Sequence, residues 1–128
     1  MNEQVVSRSR LTLEQQRAQD AWSKAAEGVV EYKKDYVNDA KGLPALIMNS
    51  GLMQVMAFLH QKGGRHDLLG GHLRDWLHQR FKNQIKSAEF DPFMQALLRA
   101  DPATYQAVTT EAMAWLKWLR QLAPARQR

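Results

Sequence analysis

Near the start of the chain, Ala18, Ala21, Trp22, Ala25, Val29, Tyr32 and Tyr36 recur at spacings of three and four. On a helix of about 3.6 residues per turn this places them on one face, which must pack inward. The same spacing returns further along at Leu69, Leu73, Trp76, Leu77 and Phe81, and again at Tyr105, Val108, Ala112, Trp115, Leu116, Leu119 and Leu122. No segment alternates apolar and polar residues between hairpin turns, so sheet architectures are excluded. The expectation is all-α: a single compact bundle of five or six helices spanning residues 1–128, with 1–11 and 124–128 as flexible tails.

Local signals place the ends. Thr12 with Gln15 three places on is a capping box, so a helix starts there. Its period runs to Asn38, with Gly28 a candidate kink, and Lys41-Gly42-Leu43-Pro44 ends it. Pro44 suits the first turn of a second helix, Ala45 to Gln61. The apolar residues of that helix surround almost its whole circumference, as on a central helix, and Gly51 marks a kink or a close backbone approach. Lys62 to Arg65 reads as a loop. Asp91-Pro92 and Asp101-Pro102 each read as an N-cap followed by proline at the first helical position, and Pro124 with a basic tail ends the fold.

Composition narrows the chemistry. With 45% hydrophobic and 24% charged residues the chain is globular. It contains no cysteine, which removes disulfides, thiolate metal sites and cysteine nucleophiles and suits a reducing cytoplasm. No stretch approaches the ~20 apolar residues of a membrane span, and the N-terminal residues lack a signal-peptide pattern, so no membrane partner is expected. The four histidines, His60, His66, His72 and His78, fall six residues apart, so each turns about 120° from the last on a helix and they do not converge. A phosphate-binding glycine loop, a nucleophile elbow and a magnesium-binding carboxylate cluster are likewise missing. We therefore expect no catalytic residue, no metal ligand and no cofactor.

Charge is the more informative property. The net charge is +5, with eight Lys/Arg against seven Asp/Glu in residues 1–64 and ten against six in 65–128. Arg10, Arg17 and Lys24 repeat every seven residues and so stay within about 20° of one line, roughly a quarter-turn from the apolar face. That geometry predicts charges free for an external partner, and Lys33, Lys34 and Lys41 continue it. A row of cations suits sequence-independent contact with a phosphate backbone. Glu14, Asp20, Glu27 and Glu31 are interspersed and bear on how much of that charge is left over. Trp22, Trp76 and Trp115 lie on apolar stripes and read as core. Trp118 lies about 100° from the centre of the last helix's buried face, an edge position that suits a subunit contact ahead of stacking on a base, or plain edge packing.

Three separated blocks together carry a family resemblance. They are Arg17-Ala18 with Ala21-Trp22; Leu43-Pro44-Ala45-Leu46-Ile47 leading to Asn49-Ser50-Gly51-Leu52, Gln54 and Ala57-Phe58-Leu59; and Tyr105, Thr109, Glu111-Ala112 and Trp115 to Arg120. In this order the chain resembles the small α-helical subunit of the type III-B CRISPR effector, the Cmr complex. The resemblance implies a non-catalytic scaffold whose copies stack into an inner filament, alongside the backbone and large subunits, and help hold a guide RNA–target RNA duplex. It implies RNA contact at Arg17, while Arg10, Lys24 and Lys41 rest on the stripe geometry. Asn49 and Gln54 fit either an RNA contact or the polar backbone at a Gly51 kink. Two other readings compete: a helical protein-binding adaptor with a basic surface, and a small ribonuclease using His60 or His78.

Overall fold

A computed structural model describes residues 10–128. Among these residues there are five helices: α1 (Leu13–Ser50), α2 (Leu52–Lys62), α3 (Gly64–Arg80), α4 (Phe90–Arg99) and α5 (Pro102–Gln127). No strand occurs among the described residues. α1 packs along α5, while α3 lies against α1 and α2. Trp76, Trp115, Tyr36 and Phe93 are the largest side chains of the shared core. The all-α bundle expected from periodicity is thus present.

The caps form where the sequence puts them. Thr12 Oγ1 accepts from the Gln15 backbone N–H at 3.1 Å while Gln15 Oε1 accepts from the Thr12 N–H at 2.9 Å. Asp101 Oδ1 accepts from the Thr104 N–H at 2.7 Å, with Pro102 opening α5. α4, however, starts at Phe90 with Glu89 as its N-cap, so Asp91 and Pro92 lie inside the first turn. A proline is tolerated there because first-turn N–H groups have no intrahelical partner.

The breaks fall elsewhere than glycine and proline suggest. α1 does not end at Lys41 to Pro44 but runs through Pro44 to Ser50. Ala40, Leu43 and Ile47 are buried on one face of this stretch, and burying two such large side chains, at roughly 1.5–3 kcal/mol each, offsets the ~3 kcal/mol of an internal proline. The interruption is instead at Lys33, with φ 52 and ψ −131, which divides α1 into two arms. Gly28 stays helical. It is required because Tyr36 from the second arm lays its ring against it, where any Cβ would overlap the ring. Eight residues span about 12 Å along an unbroken helix, so this contact depends on the turn at Lys33. Gly51, with φ 84, separates α1 from α2, and the Tyr105 hydroxyl of α5 accepts from the Met53 N–H at 3.2 Å.

Three further expectations are corrected. The segment around Gly51 is not a fully enclosed helix, because Leu46, Met48 and Phe58 are exposed. Trp22 is 44% exposed rather than core, and the Arg126 guanidinium lies 4.1 Å from its ring centroid. Residues 124–127 continue α5 instead of forming a tail, with Ala123 buried and Arg126 held on Trp22. Of the other expected tail, residues 1–9 lie outside the described residues.

Candidate nucleic-acid interface

The first arm of α1 carries both the cationic stripe and the carboxylates interspersed with it. The side chains that these groups meet on α3 and α5 decide how much positive charge is left over. Arg17 is turned inward. Its Nε and Nη2 donate to the two oxygens of Glu111 at 2.6 and 2.8 Å, and its Nη1 donates to Glu14 Oε1 at 2.6 Å. Glu111 also accepts from Trp76 Nε1 at 3.0 Å. Burial disfavours the Glu111 charge, but the hydrogen bonds from Arg17 and Trp76 outweigh it and hold the carboxyl below its usual range. The Arg17 guanidinium is correspondingly locked in its charged form, chiefly by the Glu111 hydrogen bond.

Lys24 is neutralised in the same way. Its Nζ lies 2.7 Å from Asp20 Oδ2 and 2.6 Å from Asp75 Oδ2, with the side chain 13% exposed. Asp20 Oδ2 also accepts from Trp115 Nε1 at 2.9 Å, and Glu14 Oε2 accepts from Trp118 Nε1 at 3.0 Å. Three indoles therefore each donate to a carboxylate that also holds a cation. The expectation that Arg17 and Lys24 are free for an external partner is corrected: the quarter-turn offset aims them at carboxylates of α3 and α5. Trp118 is half-buried at this seam, with its ring nitrogen committed to Glu14.

The remaining positive charge is differently placed. Arg10, Lys33, Lys34 and Lys41 are exposed and have no ion-pair partner among the described residues. Lys33 and Lys34 sit at the break in α1 and Lys41 on its second arm. Arg65, by contrast, donates to Asp39 at 2.8 Å. Asn49 and Gln54 are exposed and their side chains make no hydrogen bond at the Gly51 turn, where the Met53 N–H is taken by Tyr105 instead.

The histidines are dispersed. His60 pairs with Asp67 and stacks on Phe90; His66 lies edge-on to Phe58; His78 bonds the Ile85 carbonyl at 2.7 Å. His72 is buried, bonded through Nε2 to Glu27 and at Nδ1 to the Tyr36 hydroxyl at 2.8 Å. It thereby ties both arms of α1 to α3. Burial lowers its pKa despite Glu27, so the neutral ring donates to Glu27 and accepts from Tyr36. Among the described residues no three His, Cys, Asp or Glu side chains gather as a metal site.

A sequence profile of a family described as CRISPR-associated protein (Cas_Cmr5) matches residues 13–126. The chain belongs to the Cmr5 family. A curated relative, the CRISPR system Cmr subunit Cmr5 of Thermus thermophilus, is 29% identical over 119 residues, covering 92% of this chain and 96% of the relative. A crystal structure of a CRISPR-associated Cmr5 family protein, also from Thermus thermophilus, superposes with a TM-score of 0.75 at 28% identity, covering 90% of this chain and 96% of that one. The resemblance carried by the three sequence blocks is therefore correct, and the chain is a small subunit of a type III-B Cmr system. The Cmr5 family is not known as the catalytic subunit of that system. No helix among the described residues is long and apolar enough to cross a membrane.

Sequence reasoning missed Glu111 as the anchor of Arg17. A signal was present: Glu111 falls three residues after Val108 and four before Trp115, on the buried stripe of α5. A carboxylate at such a position needs an internal cation.

Proposed function

We propose that this chain is a non-catalytic structural subunit of a cytoplasmic type III-B Cmr effector. In this reading it stacks with copies of itself in the inner filament, contacts the backbone and large subunits, and helps hold the guide RNA–target RNA duplex in antiviral defence. Family membership supplies the complex. The observation that carries the RNA contact is the division of the cations: Arg17 and Lys24 are neutralised inside the bundle, whereas Arg10, Lys33, Lys34 and Lys41 are exposed without partners among the described residues. Only a cation without a carboxylate partner releases counterions in full when it meets a phosphate. Arg10 and Lys41 thus stay in the RNA-facing set, Lys33 and Lys34 join it, and Arg17 and Lys24 leave it.

For subunit contacts, the exposed part of Trp118 is one candidate. The other is the exposed apolar set Leu46, Met48 and Phe58, next to a hollow of about 200 Å³ that Leu46 and Phe58 help line. The test is a K33E/K34E/K41E variant assembled with the remaining subunits. Crosslinking to guide and target RNA should fall while helicity and thermal midpoint stay near those of the parent. Undiminished RNA crosslinking and target cleavage would reject the assignment.

A further inference from the structure

A second unpartnered basic feature lies away from α1. A cleft of about 590 Å³ opens between the loop that follows α3 and the corner where α4 meets α5. Its walls carry Lys86 and Arg99, with the hydrogen-bonding side chains of Gln84, Gln95 and Thr104. Lys86 and Arg99 are exposed and have no carboxylate partner among the described residues. One carboxylate, Asp101, shares the wall, but its Oδ1 accepts from the Thr104 N–H at 2.7 Å and its charge sits against the N-terminus of α5. The rest of the lining is small and apolar: Pro92, Ala96 and Ala100.

Both cations stand on fixed supports. The loop is pinned by Ile85, which is 1% exposed, donates its N–H to the Phe81 carbonyl at 2.7 Å and offers its own carbonyl to His78 at 2.7 Å. Arg99 ends a helix anchored by buried Phe93 and Leu97. With the backbone anchored, only the two side chains have to be ordered when an anion arrives.

We infer that this cleft binds one strand of RNA, with Lys86 and Arg99 on its phosphodiesters and its sugars and bases over Pro92, Ala96 and Ala100. Nothing in the sequence blocks that identify the family points here. The inference rests on the RNA-holding reading above and adds a separate site to it. A recess of this volume admits a nucleotide unit, and the uncharged amides of Gln84 and Gln95 suit base edges without demanding a sequence.

The test compares three full-length variants for binding a fluorescently labelled 15-nucleotide oligouridylate across a salt series. They are K86A/R99A; K33A/K34A/K41A; and R120A/R128A, which removes two exposed charges elsewhere. K86A/R99A is expected to weaken binding on the order of tenfold at low salt and to flatten the slope of log K against log salt by about 1.4, the amount for two single-strand phosphates. Since neither side chain has an internal partner, circular dichroism should match the parent. An effect no larger than that of R120A/R128A overturns the cleft assignment. If K33A/K34A/K41A still weakens binding in that case, α1 alone takes the strand; if only K86A/R99A weakens it, the cleft is the single-strand site, and the α1 contact with the duplex is decided by the crosslinking experiment above. A polyglutamate peptide that binds the parent as tightly as the RNA, and loses the same affinity in K86A/R99A, would also overturn it and mark an acidic protein as the occupant.

Discussion

At the scale of single residues, Glu111 holds the most. It accepts from Arg17 twice and from Trp76 once, and Arg80 Nε lies 3.5 Å away. Replacing it with Gln keeps the shape and removes the charge, leaving the half-buried Arg17 guanidinium with Glu14 alone as its counter-ion. The expected loss is about 2 kcal/mol, read from the urea midpoint. The pH dependence follows from the same group. Its carboxyl lies below the usual 4.5 in the folded chain, so its contribution is complete above that value and disappears as pH falls through the folded one. The parent should therefore lose stability steeply below about pH 4.5, and E111Q, already without that contribution, should show a flatter acid limb. Arg17 illustrates what a sequence withholds. Its stripe position was legible from spacing alone, but its partner is 94 positions away and no local pattern announces the pairing.

At the scale of elements, the caps of α1 and α5 were readable because each is closed by residues within three positions: Thr12 with Gln15, and Asp101 with Thr104. The break in α1 was not. Lys33 sits within Glu31-Tyr32-Lys33-Lys34-Asp35, a run with no turn residue, and the conformation is imposed by Tyr36 and His72 closing over Gly28 and Glu27. A non-glycine residue at such a φ carries roughly 1–3 kcal/mol of strain. Lys33→Gly should relieve part of it and raise stability by about 1 kcal/mol in chemical denaturation, after the greater freedom glycine has in the unfolded chain. Gly28→Ala should do the opposite, costing about 2–3 kcal/mol, because the Tyr36 ring has to leave its place. Sequence marks Gly51 as a kink or a close backbone approach without deciding whether the helix breaks there; it does break, and the contact from Tyr105 is not legible locally because that residue comes from another helix.

At the scale of the whole molecule, charge falls into two populations that respond differently to salt. Arg17 and Lys24, their side chains 15% and 13% exposed, are screened weakly, so the thermal midpoint should change little between about 0.1 and 1 M sodium chloride. On the proposed function RNA affinity rests on exposed cations and should collapse over the same range, and filter binding at several salt concentrations reads this directly. Helical class and family were accessible from sequence because both reside in short blocks. Which cations face outward was not, because that depends on how α3 and α5 are brought against α1.

The indole–carboxylate contacts have a mechanical meaning. Two rods joined only by greasy side chains can slip along each other by a turn and bury nearly the same area. Here Trp115 and Trp118 of α5 engage Asp20 and Glu14 of α1, and Arg17 reaches back to Glu111. Directional contacts of this sort act as teeth on a rack: a slipped register would leave several of them unmatched at once. The folded chain is thereby held to one length and one pitch.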